Sequence, residues 1–257
     1  MNGIVVEDRG AARWLILDRP DCRNALDPTA LPDLVAAIES AKDARVLVLA
    51  GRNGAFCSGA DLRFAVASGP ALFDQLEQYL GSFQAVIRAL MAAPQPVVAV
   101  VDGPAYGFGC DLALAADLRV ASTRAYFQEG FVRIGLIPDG GGTWMLPRLV
   151  GLSKAMEMML LGDKLDAADA HRLGLLARLV EPDVLDAASA EVVARLVNGP
   201  PLALAHIRRL AREGLHRTFE EAYAAEGRAQ IECLRSADCA EGVAAFFQKR
   251  APSFKGE

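Results

Sequence analysis

Val97–Val101 is an unbroken apolar run, VVAVV, set between Pro96 and the turn Asp102-Gly103-Pro104. Five apolar positions with no polar alternate are expected of a strand buried on both faces, so the surrounding chain has to supply a layer on either side of it. Other β-rich runs precede it at Ile4–Glu7, Trp14–Asp18 and Val46–Ala50. Helical patterns lie between them. One carries Leu31, Leu34, Val35 and Ile38 on one face; another carries Phe73, Leu76, Leu80, Phe83, Ile87 and Leu90 and is closed by Pro94 and Pro96. The alternation predicts an α/β core. Beyond about residue 185 the strand signal disappears, and amphipathic helices are expected over Leu185–Val197, Leu202–Gly214, Phe219–Ser236 and Glu241–Lys249. Broad apolar stripes at one end of a chain, with little core left to cover, point to a homo-oligomer, the alternative being a helical cap on the same subunit.

Composition narrows the partners. Hydrophobic residues make up 53% and charged ones 23%, the balance of a globular chain. A net charge of -5 argues against a general nucleic-acid binder, although a local basic patch for one small anion is compatible with it. Glu7, Asp8, Arg9 and Arg13 interrupt the amino-terminal stretch where a secretory signal needs an apolar core, and no apolar run approaches a membrane span. A cytoplasmic location with no membrane contact is expected. Cys22, Cys57, Cys110, Cys233 and Cys239 form no CxxC pair or metal spacing, and an odd number suits a reducing compartment. No metal site is predicted. His171, His206 and His216 all fall on helical segments of the later half, which gives Ser-His or Cys-His chemistry little support.

Three glycine-rich turns carry the chemistry. Gly51–Leu62 follows the third strand directly, with glycine at 51, 54 and 59, so it presents main-chain N–H groups to a ligand; a surface hairpin is the plain alternative. Pro96–Leu114 runs from the buried strand through Gly107-Phe108-Gly109 into a helix, whose free N–H groups and dipole favour negative charge. A dinucleotide fingerprint would need a third glycine where Leu112 stands, and no P-loop Gly-Lys-Ser/Thr occurs anywhere. In the third turn, Asp139 sits between Pro138 and three glycines, where spacing alone suggests a turn or helix N-cap aspartate.

FCSGADL at 56–62, VVDGPAYGFGCDLALAADLRVAS at 100–122 and IGLIPDGGGTWMLPRLVG at 134–151, in this order and spacing, resemble the enoyl-CoA hydratase/isomerase, or crotonase, superfamily. The resemblance extends from RNALD at 23–27 to EGVAAFFQKRAPSFKG at 241–256. It implies an α/β fold, a crotonase-like spiral of β-β-α units over 1–197 with a helical carboxy-terminal region over 198–257 that builds trimers or dimers of trimers. It also implies an oxyanion hole made by the N–H groups of Ala60 and Phe108, a departure from the commoner glycine whose ring is expected to narrow the acyl pocket. The substrate implied is an acyl-CoA thioester, with coenzyme A part of the substrate and no separate cofactor.

The family's acid/base positions fall here on Asp111, Phe131 and Asp139. Phe131 breaks the carboxylate pair of typical hydratases. Glu129 lies two residues earlier and, in an extended segment, would face the same side about 7 Å away. Asp139 matches the position used by several isomerases, and IPDGGGTWMLPRLVG with AFFQKRAPSF is especially similar to the epoxyphenylacetyl-CoA isomerase branch of phenylacetate breakdown. A single carboxylate suffices to move a double bond from the 3,4 to the 2,3 position, so isomerisation is expected; a 2-enoyl-CoA hydratase and a non-catalytic acyl-CoA-binding member are the alternatives. Asp111 is expected either to assist as a second acid or to complement the helix dipole. For coenzyme A the resemblance implies Arg23, Ala25, Asp61 and Leu62, with Lys249 or Lys255, from this or another subunit, near the phosphates.

Overall fold

The computed structural model describes residues 3–257; the side chains of Ala71 and Phe73 lie outside the described residues, and with them the helix-face position expected for Phe73. In chain order the first half contains β1 (Ile4–Arg9), β2 (Ala12–Leu17), α1 (Leu31–Glu39), β3 (Val46–Gly51), α2 (Leu62–Ser68), α3 (Leu76–Ala92), β4 (Val97–Val101), β5 (Pro104–Tyr106), α4 (Phe108–Ala115), β6 (Leu118–Ser122) and β7 (Tyr126–Gln128). There follow α5 (Gly142–Val150), α6 (Leu152–Leu161), β8 (Lys164–Asp166), α7 (Ala167–Arg172), β9 (Arg178–Val180), α8 (Leu185–Val197), α9 (Pro201–Gly214), α10 (Phe219–Arg235) and α11 (Ala237–Gln248).

Six strands form one sheet in the order β1-β2-β3-β4-β6-β9, parallel throughout except for the β1–β2 hairpin. The buried run VVAVV is β4, at its centre, and successive residues do point to opposite layers. Val97, Ala99 and Val101 join the core beneath α1, α3 and α4; Val98 and Val100 pack with Trp14, Val48 and the α8 residues Val192 and Val193. α8 thus covers the second face. A sheet with both faces clothed is what the continuous apolar strand requires.

The chain winds as a spiral because β4 and β6 are each followed by a short strand, β5 and β7, that joins a different layer. β5 pairs in parallel with β7, and β7 antiparallel with β8. Isolated bridges extend this layer backwards, Cys57 to Ala105 and Ala60 to Leu26. The segments 22–27, 57–61, 104–108 and 126–129 are thereby stacked side by side, and the first two glycine turns lie in that one layer.

The carboxy-terminal helices dock through arginine. Arg208 and Arg212 of α9 hold Asp117 at 2.7 and 2.6 Å, and the same side chains donate to carbonyls at the carboxy ends of α3 (Leu90, 2.6 Å) and α4 (Ala115, 3.0 Å). Cations there satisfy the orphan carbonyls and complement the dipole. α10 opens with a capping box between Thr218 and Glu221. α11 starts at Ala237, four residues before the expected Glu241, because the Ser236 side chain accepts from the Cys239 N–H and caps it there. No described helix is long and apolar enough to cross a membrane.

Candidate active site

Two backbone amides lie near each other in the short-strand layer. Leu26 N–H donates to the Gly59 carbonyl (2.8 Å) and Asp61 N–H to the Leu26 carbonyl (2.7 Å), so the ladder uses the Gly59 carbonyl and the Asp61 N–H and gives the Ala60 N–H no acceptor among the described residues. Phe108 is the first residue of α4, preceded by Gly107 at φ 54, and its amide has no helical acceptor. The turns are locked together: Cys57 N–H donates to the Pro104 carbonyl at 2.9 Å and Tyr106 N–H to the Cys57 carbonyl at 3.0 Å. Gly59 has φ +91, and a methyl on it would lie 2.7 Å from the Tyr106 carbonyl oxygen and 3.3 Å from Phe108 N. Standard bond lengths then put the Ala60 and Phe108 nitrogens less than about 7 Å apart, compatible with two donors serving one oxygen. The Phe108 ring does not turn into the space between them to narrow it. It is 2% exposed and packs edge-on against Phe83 at 4.8 Å, in the core beneath α3.

Three carboxyl groups converge behind the second turn. Asp111, in the first turn of α4, is wholly buried; its Oδ2 accepts from Gly140 N–H at 3.1 Å while Oδ1 has no partner. Burial, then the charges of Glu129 and Asp139, push its carboxyl well above the usual range, the opposite of what a dipole-complementing aspartate would show. Glu129 is equally buried, and neither of its oxygens has a hydrogen-bond partner. Burial pushes it up to about 7; the neighbouring Cys110 thiol offsets part of this and Asp139 adds to it. Asp139 is only partly buried, and its carboxyl is raised by burial and partly lowered by its own N–H. It is not the N-cap of α5; Gly141, at φ 94, holds that position.

Glu129 departs from the extended register expected of its segment. β7 ends at Gln128 and the chain enters a 3-10 turn, Gly130–Ile134, in which Gly130 lies flat against the Tyr106 ring, with its Cβ position 2.0 Å from the hydroxyl. The turn carries Glu129 inward beside Asp111: a methyl at Gly142 would lie 2.6 Å from Asp111 Oδ1 and 3.0 Å from Glu129 Oε1, so these oxygens are separated by no more than the sum of the two. Phe131 places its ring 3.8 Å from the Cβ position of Gly107 and brings no charge to the site. A glutamate beside a glycine, with Phe127 and Phe131 two residues to either side in YFQEGF, is the sequence signal of this burial.

The other side of the Ala60 turn is built from 22–27 and 57–62. Ser58 N–H donates to the Arg23 carbonyl (3.0 Å) and Ser58 Oγ to the Cys22 carbonyl (2.8 Å), which sets Arg23, exposed and at φ 52, beside the Ala60 turn. Arg19, a residue that sequence reasoning passed over, fastens the two segments: its guanidinium donates to the Ala25 carbonyl at 2.5 Å and lies 2.8 Å from Asp27 and 3.5 Å from Asp61. Asp61 caps α2 through the Arg63 N–H, and Leu62 is 51% exposed. Arg23, Ala25, Asp61 and Leu62 are therefore together. Lys255 is not with them: the adjoining Phe254 carbonyl is held by Arg45 at 2.7 Å, just before β3, whereas the 57–62 turn follows the other end of that six-residue strand, about 20 Å further on. Lys249 is exposed at the end of α11. Cys57 is inert by burial, its thiol pushed up to about 12.

Against known proteins, the sequence model described as enoyl-CoA hydratase/isomerase matches residues 11–257. A relative from Rhodobacter capsulatus named "Probable enoyl-CoA hydratase" is 42% identical over 94% of this chain and 93% of its own length. The "1,2-epoxyphenylacetyl-CoA isomerase" of Escherichia coli K12 is 34% identical over 95% and 94%. A crystal structure of an enoyl-CoA hydratase from Polaromonas sp. JS666 superposes with a TM-score of 0.94 at 30% identity, covering 98% of this chain and 99% of that one.

Proposed function

The chain belongs to the enoyl-CoA hydratase/isomerase family and is an acyl-CoA enzyme of it, and from that premise we propose that it moves a double bond along the acyl chain, with Asp139 as the group that carries the proton. The supporting observation is accessibility. Of the three converging carboxyls only Asp139 has exposed surface; Asp111 and Glu129 are at 0%, and the remaining family position holds Phe131. In the reaction proposed for a 3-enoyl thioester, the Asp139 carboxylate removes a proton from C2 and the C2–H electron pair moves into the thioester, whose oxygen becomes negative between the Ala60 and Phe108 amides. Donors fixed in place before the charge develops are worth about 3 to 4 kcal/mol each in a comparable hole. The dienolate collapses by taking the same proton back at C4, leaving the double bond at C2–C3 with atoms and charge conserved. A carboxyl raised towards neutrality is suited to both halves of that transfer.

Hydration of a 2-enoyl thioester is the second reading, and one observation favours it: Asp111 and Glu129 lie side by side as two acid/base groups would to activate water and protonate C2. Hydratase names also outnumber isomerase names among the relatives quoted above and their neighbours. The absorbance of the 2-enoyl thioester separates the two, rising with a 3-enoyl substrate if the enzyme isomerises and falling with crotonyl-CoA if it hydrates. Asp139→Asn is expected to abolish the rise; unchanged turnover by that variant sinks the assignment, and acyl-CoA binding without exchange of the α-proton would select a non-catalytic member instead.

The same reading includes a homo-oligomer of trimeric type. It is supported by exposed aromatic residues on the terminal helices, Phe246 and Phe247 at 78% and Phe219 at 74%, and by the distance of Lys255 from its own Ala60 turn, which suits a contribution to a neighbouring subunit's phosphates. Sedimentation as a monomer at micromolar concentration would remove this part of the proposal.

A further inference from the structure

The pair Asp111 and Glu129 is the place where the buried chemistry exceeds what a one-carboxylate reaction uses. Both side chains are at 0% exposure, and three of their four oxygens, Asp111 Oδ1 and both of Glu129, have no hydrogen-bond partner. Gly142 is small for a reason that points to the same spot: any side chain there would strike Asp111 Oδ1 at 2.6 Å and Glu129 Oε1 at 3.0 Å. Neither residue forms an ion pair among the described residues. The groups acting on Glu129 are the Cys110 thiol, on α4, and Asp139. Those acting on Asp111 are Glu129, Asp139 and the amides of Gly140 and Gly142, ahead of α5. On the other sides stand the uncharged Phe131 ring and the Tyr106 hydroxyl, which lies 3.5 Å from the Gly130 carbonyl, while Tyr79 of α3 faces Asp139. None of these is a cation.

Two buried carboxylates at this separation cannot both stay ionised, because each raises the cost of charging the other and no counter-charge is at hand. Full protonation is opposed in turn by the Gly140 N–H, which donates to Asp111 Oδ2 and favours its charged form. One proton for two carboxyls satisfies both constraints and supplies the donor that the three empty oxygens lack. We propose that Asp111 and Glu129 share a single proton at neutral pH beneath the Gly140–Gly142 turn, one carboxyl charged and its neighbour neutral. The shared proton does not depend on Asp139 being the base proposed above.

The test uses two variants of the intact enzyme, Glu129→Gln, which keeps shape and removes charge, and Glu129→Asp, which keeps charge. In Glu129→Gln, Asp111 stays protonated by burial and the pair becomes neutral at pH 7, whereas Glu129→Asp keeps two ionisable groups. Infrared titration of the carboxyl band in the substrate-free wild type reads the proton directly. One buried protonated carboxyl at pH 7, with two separate steps that become one in Glu129→Gln, is expected; no protonated carboxyl, or two, at that pH refutes the shared proton even if a variant fails to fold. Absence of turnover by the wild type with either 3-enoyl or 2-enoyl thioesters would count against the proposed function alone, the infrared result still deciding the pair.

Discussion

Gly59→Ala tests the geometry on which the chemistry depends, and Gly10→Ala is its internal control. Both glycines have positive φ, +91 and +61, but a methyl on Gly10 meets nothing within 4 Å, whereas one on Gly59 lies 2.7 Å from the Tyr106 carbonyl oxygen and 3.3 Å from Phe108 N. Placing an L-residue in such a backbone conformation costs about 1–2 kcal/mol, which for a chain of this size lowers Tm by about 2–8 °C. Gly10→Ala should show that loss and nothing more, with wild-type kcat. Gly59→Ala carries the same conformational cost plus a contact with backbone that cannot rotate aside, so the two turns have to separate. Separation moves the Ala60 and Phe108 amides off their common oxygen, and misplacing one donor of such a hole lowers kcat by about 10²–10³-fold. The assay is steady-state turnover of whichever enoyl thioester the wild type accepts, beside thermal unfolding of both variants. If Gly59→Ala is destabilised like Gly10→Ala yet keeps kcat within about threefold of wild type, the two amides do not hold the developing charge and the argument from the turns is wrong.

Three other outcomes follow from the same structure. Asp117→Ala removes the partner of both Arg208 and Arg212, leaving two guanidinium groups on helix-end carbonyls alone; a loss of about 2–3 kcal/mol is expected in urea unfolding, below the full cost of breaking a buried pair because Asp117 is partly exposed. Glu129→Gln should grow more stable relative to wild type as pH rises. The wild-type carboxyl goes from 4.5 to about 7 on folding, so between those values the folded state binds more protons than the unfolded one and stability falls with pH; without that group the difference between the two proteins should widen by about 2–3 kcal/mol from pH 4 to pH 8 in parallel urea titrations. Arg19→Met should raise KM for the thioester more than it lowers kcat, since it unfastens 22–27 from the Ala60 turn without touching the amides; equal losses in both would place Arg19 in the chemical step.

What the sequence disclosed and what it hid divide along a physical line. VVAVV and the glycines at 59 and 107 were legible because their demands are local: an unbroken apolar run needs cover on both faces, and a positive φ favours a residue without Cβ. The spiral itself was legible only through resemblance, since nothing in β5 or β7, three residues each, says that they leave the large sheet to build a second layer. Asp139 was ambiguous because Gly140, Gly141 and Gly142 all invite a helix start, and only packing decides that Gly141 takes the cap and leaves the carboxyl free. Strand rise misplaces Glu129 because β7 stops at Gln128; the stop is set by Tyr106, a residue more than twenty positions away that presses its ring on Gly130. The position of Lys255 depends likewise on Arg45 catching the chain near its end, at the opposite edge of β3 from the Ala60 turn. Residues whose conformation is dictated by their own backbone can thus be read one at a time, whereas a buried acid acquires its protonation state from the set of neighbours that deny it water and counter-charge. That set exists only in the folded chain, which is why Glu129, buried with neither carboxyl oxygen hydrogen-bonded, is also the residue the sequence placed worst.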